Sequence, residues 1–278
     1  MAMIQWFPGH MHLTKVLNKQ DLADPDRTAL WLAHYNALPG TRAIALDASM
    51  TTPAKALIKA CFELAPNRGG MVKPMRVLIC GIPNVGKSTL INTLTGKRAA
   101  KTGDEAGVTK VEQRIALADD FYLYDTPGVL WPRIIVAKSG YNLAASGAVG
   151  RNAFDEQEVA LELLDYLKTH YPQLLEARFK LEGAATLSDE QLLEAIGRKR
   201  GALQGGKQVN LQKAAEIVIY DFRSSVLGRI TLETPEEFAQ WLAAGQTLDA
   251  QRQLKKDAIE LDRKIRFKQV PRPDRRGG

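Results

Sequence analysis

A nine-residue stretch, Gly81–Thr89, has the residue types and spacing of a phosphate-binding loop. The apolar run Met75–Cys80 precedes it as a buried strand would, and Leu90–Leu94 continue it as a helix would. Backbone N–H groups of such a loop surround a β-phosphate, and the start of the helix adds positive potential. We expect Lys87 to reach the β- and γ-phosphates and Ser88 to bind Mg²⁺. A chance glycine-rich turn is disfavoured, because the motif and both flanks are complete.

A second motif, Asp-Thr-Pro-Gly at 125–128, supplies groups that a bound nucleoside triphosphate needs. The Asp125 carboxylate is expected in the Mg²⁺ shell, and the Gly128 N–H is expected to meet the γ-phosphate. Thr109 lies in a polar stretch, Lys97–Lys110, that is predicted to be a mobile loop. When the triphosphate is bound, this threonine can complete the Mg²⁺ shell.

The sequence Asn-Lys-Gln-Asp at 18–21 indicates which base is bound. An aspartate carboxylate accepts hydrogen bonds from guanine N1–H and N2–H₂, which adenine lacks. ATP would leave that charge unpaired. With the phosphate motifs, this predicts a GTP- and GDP-binding enzyme that hydrolyses GTP.

Strands and helices alternate through the first half of the chain, which predicts an α/β fold with a parallel sheet covered by helices on both faces. Strands are predicted over Thr14–Leu17, Arg42–Asp47 and Met75–Cys80, helices over Pro25–Leu38 and Pro53–Leu64, and a hairpin over Val111–Leu117 and Phe121–Tyr124. Beyond Pro172 the patterns are mostly helical. We therefore predict a nucleotide-binding domain over residues 1–168 and a smaller helical domain over 169–278.

Composition is typical of a globular protein, with 45% apolar and 25% charged residues among 278. No apolar run approaches the ~18 residues of a membrane span, and the N-terminus lacks a signal-peptide pattern, so we expect a cytoplasmic protein without membrane contact. The two cysteines, Cys61 and Cys80, make no disulfide framework. Cys80 is expected to be buried in the strand before the phosphate loop.

Positive charge is concentrated in the C-terminal half. The net charge is +7, and residues 252–278 hold ten Lys or Arg against four Asp or Glu. Arg198, Lys199, Arg200 and Lys207 form a second cluster. Either cluster alone could be a solvated surface, but two together favour a nucleic-acid partner. On the basic helix, an apolar stripe is expected to pack on its own domain and leave the charges outward; its members are Leu254, Ala258, Leu261 and Ile265.

The order of the motifs resembles that of the circularly permuted GTPases, because the guanine motif precedes the phosphate loop. Ala48 and Ser49, also upstream, match the position where a backbone N–H meets the guanine oxygen. Within that group the chain resembles the ribosome biogenesis GTPase A family. The matching segments are Trp6–Met11, Asn18–Asp21, Gly81–Thr89, Gly107–Thr109, Asp125–Gly128, Leu130–Pro132 and Ala195–Gly201.

The resemblance implies a circularly permuted Ras-like GTPase domain followed by a helical RNA-binding domain. It implies GTP-dependent docking on the precursor of the large ribosomal subunit and its rRNA, with GTP hydrolysis slow alone and stimulated by the ribosome. We expect a monomer. The expected nucleotide-binding residues are Asn18, Lys19, Asp21, Ala48, Ser49, Asn84, Val85, Gly86, Lys87, Ser88, Thr89 and Gly128, with Ser88, Thr109 and Asp125 holding Mg²⁺.

Two catalytic roles are implied by the resemblance. Common GTPases orient the attacking water with a glutamine, but the corresponding residue here is Val129. His10 is the family's proposed substitute, and the alternative is that Trp6–His10 only anchors the N-terminus. Asn84 is expected to help hold a K⁺ beside the phosphates; the alternative is that it only tolerates the loop conformation.

One departure from the family concerns the N-terminal region. The family carries a further helix and strand before the guanine motif, yet here only His12 and Leu13 separate Met11 from Thr14. Roughly forty residues, the size of a strand–helix piece with its loops, are missing. A true deletion would expose sheet edges. We therefore expect the sequence as read to omit a stretch here, so that residues 12 and 13 are not directly joined.

Three other functions compete with a switch acting on the large subunit. A phosphate-loop kinase is disfavoured by the guanine motif, and an RNA-binding scaffold with little hydrolysis is disfavoured by the complete set Lys87, Ser88, Thr109 and Asp125. A permuted GTPase acting on the small subunit or on another RNA is the nearest alternative. The small-subunit family adds a zinc site, for which two isolated cysteines cannot supply the ligands.

Overall fold

The computed structural model describes residues 12–96, 113–130, 133–150 and 153–269. Three of the predicted features lie outside these ranges: the role of His10, the role of Thr109 and the loop Lys97–Lys110.

The first half of the chain alternates strands and helices, as the sequence predicted. Its elements are β1 (Leu13–Leu17), α1 (Pro25–Asn36), β2 (Thr41–Ala45), α2 (Thr51–Leu64), β3 (Met75–Ile79), α3 (Lys87–Thr95), β4 (Gln113–Ala118) and β5 (Phe121–Asp125). Asp24 caps α1 by accepting from the backbone of Asp26 and Arg27, and Pro25 takes the first helical position. Apolar side chains of both sheets and of α2 and α3 share one core, in which Leu46, Ile91 and Leu123 are almost fully buried.

Within the described residues the strands form two sheets. In one, β1 pairs in parallel with β2; in the other, β5 lies between β3, which is parallel to it, and β4, which is antiparallel. The β4–β5 hairpin matches the prediction. The prediction of a single parallel sheet was wrong, because the described strands form two sheets. No ladder joins β1 to β3 in the described part of the chain.

The prediction of a buried Cys80 was also wrong: this residue follows β3, which lies at the edge of its sheet in the described part of the chain. Cys80 is exposed while Cys61 is buried. On β3 itself, Arg76 is exposed and Leu78 is 47% exposed. Open edges of this kind are what the loss of an interior strand would leave.

The second half of the chain is helical and surrounds α5. Its helices are α4 (Ala137–Ala145), α5 (Glu156–His170), α6 (Pro172–Phe179), α7 (Asp189–Lys199), α8 (Leu211–Arg223) and α9 (Pro235–Gln269). Side chains of α5 such as Val159, Leu164 and Leu167 are completely buried against α7 and α8. The α4 residues Ala144 and Ala145 belong to the same core.

The predicted domain boundary between residues 168 and 169 falls inside α5, whose apolar face is the centre of the helical core. Cutting there would divide one hydrophobic cluster. We propose to place the boundary ahead of α4 instead, after the strand end at Asp125. The sequence over 134–150 is rich in alanine and glycine, so its periodicity did not mark α4 as a core helix.

Helix α9 is longer and more exposed than predicted. It is a single helix of 35 residues, which includes the basic helix predicted from the sequence. It continues through Gly245, where a Cβ would lie 2.7 Å from the Ile135 carbonyl oxygen, so the glycine permits close packing there. From residue 251 to 264 every side chain is exposed, including Leu254 at 70% and Leu261 at 60%.

Leu254, Ala258 and Leu261 of the apolar stripe therefore do not pack on their own domain, contrary to prediction. The helix extends beyond the surface it would have covered. None of the helices in the described ranges combines the length and the apolar character that crossing a bilayer requires.

The two halves meet in a polar cluster around Arg27 of α1. Its guanidinium donates to the Tyr166 hydroxyl and to Glu237 (3.2 Å), and it lies over the rings of Tyr166 and Tyr171. Asp24 accepts from the Tyr171 hydroxyl at 2.9 Å. Burial raises the pKa of that hydroxyl to about 12, so it stays protonated and able to donate at neutral pH.

We predict that Asp24→Ala destabilises the fold more than Asp155→Ala. Both aspartates cap a helix, Asp155 through Gln157 and Glu158 of α5, and each cap contributes about 1 kcal/mol. Asp24 alone also accepts from Tyr171 of the other half, which adds about 1 kcal/mol. Urea denaturation of the two variants measures the difference, and equal losses of unfolding free energy would show that the Tyr171 bond contributes nothing.

Candidate nucleotide-binding site

The phosphate loop has the backbone conformation that its sequence predicts. It begins after β3 and leads directly into α3, with Gly86 at φ 91° and Asn84 at φ 59°. A Cβ at Gly86 would lie 2.2 Å from Nδ2 of Asn18. Glycine is thus required at 86 both for the left-handed φ and for the approach of that amide.

Asn18 joins three loops through one side chain. Its Nδ2 donates to the Val85 carbonyl of the phosphate loop at 2.8 Å, and its Oδ1 accepts from the Ala48 N–H at 2.8 Å. The residue itself follows β1 and opens the predicted guanine motif. A motif 60 residues upstream of the phosphate loop therefore lies directly beside it, as a circular permutation requires.

The other predicted base-binding residues surround this junction. Lys19 is exposed and left-handed at φ 60°, and Asp21 is exposed two residues further on. Ser49 donates to Asp47 from both its N–H (2.8 Å) and its hydroxyl (2.7 Å), which lowers the pKa of the Asp47 carboxyl. The Ala48 and Ser49 N–H groups, predicted to meet guanine, are thus engaged by Asn18 and Asp47 in this structure.

Lys87 and Asp125 lie together beneath the phosphate loop. The Lys87 ammonium donates to the carbonyls of Gly81 and Ile82, each at 3.0 Å, where it closes the loop on itself. Burial lowers the pKa of Lys87, and the nearby negative charge of Asp125 opposes that shift. Asp125 ends β5 and is only 1% exposed.

The loop after Asp125 lies against the phosphate loop. Val129 donates its N–H to the Gly81 carbonyl at 3.3 Å. A Cβ at Gly128 would lie 3.0 Å from the Pro83 backbone and 3.2 Å from the Lys87 nitrogen, so only glycine fits so close to the ammonium. The Val129 side chain is 60% exposed and apolar, so it offers no hydrogen bond to a water.

The side chains near the start of α3 suit a magnesium ion. The oxygen donors placed there are the Ser88 hydroxyl, in the first turn of α3, and the Asp125 carboxylate at the end of the strand paired with β3. Mg²⁺ prefers such donors together with phosphate oxygens. Thr89 follows in the same turn, with its side chain half-buried. The set therefore fits the ion predicted from the sequence.

A contact that the sequence did not predict ties the phosphate loop to the helical half. The Asn84 side chain donates to the Gly147 carbonyl at 2.8 Å, just beyond α4. Arg223 of α8 holds the same turn, because its guanidinium donates to the carbonyls of Ala144 and Ala145, each at 2.7 Å. No local sequence signal marks these pairs, since the partners lie 63 to 79 residues apart.

Comparison with known proteins identifies the family to which this chain belongs. The family described as 50S ribosome-binding GTPase matches residues 76–194, from the strand before the phosphate loop into α7. The ribosome biogenesis GTPase A of Bacillus cereus is 38% identical to this chain over 86% of the chain and 82% of the relative. The chain belongs to the ribosome biogenesis GTPase A family.

Solved structures agree with that membership. A GDP-bound structure of YlqF superposes with a TM-score of 0.56 at 26% identity, covering 80% of this chain and 83% of YlqF. The GNP-bound YlqF of T. maritima gives a TM-score of 0.54 at the same identity. The fold is thus a permuted GTPase domain with a helical C-terminal region, and the protein is a GTPase of ribosome assembly.

A further family member bears on the length of the N-terminal region. The probable ribosome biogenesis GTPase A of Mycoplasma genitalium is 29% identical, and the comparison covers 97% of that protein. The alignment of the two proteins is 269 positions long and covers 84% of this chain, which is about 234 of its 278 residues. The difference, 269 minus 234, leaves about 35 positions of the alignment without a counterpart in this chain. That is the size of the piece predicted to be missing; its place beside residues 12 and 13 stays a prediction.

We predict that Asn18→Ala weakens GDP binding at least tenfold, because the phosphate loop, the guanine loop and the Ala48 turn lose their shared connection. Asn36→Ala is the matched control. Asn36 also accepts from a backbone N–H at 2.8 Å, that of Ala43, but lies away from the nucleotide loops. Fluorescent GDP titration of both variants makes the comparison, and similar affinities would mean that the bridge does not organise the site.

Proposed function

We propose that this GTPase is a switch that binds the precursor of the large ribosomal subunit and acts in its maturation. The observation that carries the proposal is the hydrogen bond from Asn84 of the phosphate loop to Gly147 of the helical half. A switch needs a structural connection between its nucleotide site and the part that binds RNA. This hydrogen bond connects the phosphate loop directly to the helical half. The description of the matching family as 50S ribosome-binding supports the choice of subunit.

The proposed nucleotide contacts follow from the site. Asp21 pairs with the guanine edge, Lys19 covers the base, and the backbone from Asn84 to Thr89 surrounds the phosphates. Lys87 then exchanges the Gly81 and Ile82 carbonyls for phosphate oxygens and stabilises the charge that develops on them. Ser88, Asp125 and Thr109 would hold Mg²⁺, which would neutralise negative charge on the phosphates.

Val129 cannot orient the attacking water, because its side chain has no hydrogen-bonding group. We propose that His10 does so as a neutral imidazole, and that Gly128 donates its N–H to the γ-phosphate. Hydrolysis is then slow until the ribosome places the N-terminal segment over the site. His10 lies outside the described residues, so this role stays a prediction.

The proposed rRNA surface is the exposed basic face of the helical half. Arg198, Lys199, Arg200 and Lys207 are all exposed, and the basic part of α9 is exposed on every side from 251 to 264. Arg198 pairs with Glu194 at 2.6 Å, but an exposed pair of this kind contributes little and is readily exchanged for a phosphate. Contacts of lysine and arginine with phosphates are largely independent of sequence and weaken with salt.

We predict faster GTP hydrolysis in KCl than in NaCl at equal ionic strength, because a K⁺ held near Asn84 adds positive charge where the γ-phosphate leaves. In Asn84→Ala the ratio of the two rates should fall to about 1. Phosphate release measures both rates. Loss of the hydrogen bond to Gly147 should change the hydrolysis rates in KCl and NaCl by the same factor. A ratio of rates that Asn84→Ala leaves unchanged would therefore show that Asn84 does not bind the cation.

Co-sedimentation with ribosomal subunits tests the function itself. We expect association with the large subunit, strongest with a non-hydrolysable GTP analogue, weaker with GDP and reduced by salt. The double substitution Lys199→Glu, Arg200→Glu should abolish it, whereas Lys59→Glu, on the exposed face of α2, should not. Binding to the small subunit, or binding indifferent to nucleotide, would contradict the proposal even if GTP hydrolysis were intact.

A further inference from the structure

The loop that carries the guanine motif is held from behind by the helical half. Arg229, between α8 and α9, donates from Nε to the Ala23 carbonyl and from Nη2 to the Gln20 carbonyl, both at 2.7 Å. The next residue, Ile230, donates its N–H to the Leu22 carbonyl at 3.0 Å. Three of the four carbonyls from Gln20 to Ala23 thus accept from two consecutive residues of a segment 200 positions away.

These bonds fix the backbone on both sides of Asp21. The residues before and after it, Gln20 and Leu22, are the ones whose carbonyls are held. On the other side, the Gln20 N–H donates to the Leu46 carbonyl at 3.3 Å, which ties the loop to the end of β2. Asp21 itself is exposed, so its direction depends on the backbone that carries it rather than on side-chain packing.

The segment that holds the loop is itself rigid. Leu227 and Ile230, which flank Arg229, are buried in the helical core. Gly228 turns the chain at φ 114°, and a Cβ there would lie 3.0 Å from Leu174. Upstream, the Leu227 N–H donates to the carbonyl of Asp221, whose carboxylate is 2% exposed and paired with Arg178 at 2.7 Å.

A second set of bonds fixes the segment's position against α1. The Asp24 N–H donates to the Thr231 hydroxyl at 3.1 Å, and the Trp31 indole donates to the Glu233 carbonyl at 2.9 Å. The Arg229 side chain is exposed, but it donates both of its hydrogen bonds from a segment whose position is fixed by these contacts. Its guanidinium connects this segment of the helical half to the loop that carries the guanine motif.

We propose that Arg229 is a positioning residue for base selectivity: it orients Asp21 so that the carboxylate meets the 2-amino group of guanine. The proposal rests on the base site proposed above. Arg229 acts through the backbone of the loop and does not touch the nucleotide. A guanidinium suits this role because its planar fork holds its donors in a fixed geometry, so that Nε and Nη2 each meet one carbonyl.

The ratio of GDP to IDP affinity isolates this effect, because inosine lacks only the 2-amino group. In Arg229→Ala we expect GDP affinity to fall and IDP affinity to change little, so that the ratio drops about fivefold to tenfold. Arg229→Lys should restore part of the ratio. Arg68→Ala, an exposed arginine in the turn after α2, is the matched control and should leave the ratio unchanged.

Asp21→Ala separates failure of this proposal from failure of the base site. It should collapse the ratio by itself, and adding Arg229→Ala to it should cause no further fall, because both act through one contact. A ratio insensitive to Asp21→Ala would overturn the base site. A ratio that responds to Asp21→Ala but not to Arg229→Ala, or that falls equally in Arg68→Ala, would overturn the role of Arg229, and thermal melting of each variant identifies any loss of folding.

Discussion

The nucleotide site depends on one amide, that of Asn18. In the described residues, the strand before the guanine motif and the strand before the phosphate loop belong to different sheets, so no ladder holds their loops in register. The amide replaces that ladder with one donated and one accepted bond, each 2.8 Å long. Its approach in turn requires glycine at 86. The site depends on which loops lie side by side and not on their order along the chain, so a permuted sequence can form the same site.

The helical half is part of the GTPase site rather than an appendage. Arg229 of the helical half donates to the loop that carries the guanine motif, and Gly147 of the helical half accepts a hydrogen bond from Asn84 of the phosphate loop. Arg223 stiffens the second contact by donating to the end of α4. A displacement of either loop would thus act directly on helices of the hydrophobic core, because these hydrogen bonds join them.

Local patterns in the sequence predicted the local structure well. The phosphate loop, the β4–β5 hairpin and the order of strands and helices are determined by short motifs and periodicity, and the observed elements follow them. The split sheet, the exposed Cys80 and the continuous α9 were not predicted, because each depends on what does or does not pack against the element. The Arg27 cluster and Arg229 join residues about 140 to 210 positions apart, for which a single sequence carries no signal.

Helix α9 gives the molecule a lever arm. It is anchored by the contact of Gly245 with Ile135 and by the ion pair between Asp249 and Arg133, and the 20 residues beyond Asp249 extend about 30 Å at 1.5 Å per residue. A rotation of about 10° at this anchor would move the tip by about 5 Å, roughly one turn of a helix. Ile135 lies a few residues beyond the Gly128 loop that contacts the phosphate loop. A small change of angle at the anchor would therefore be amplified at the far end of α9.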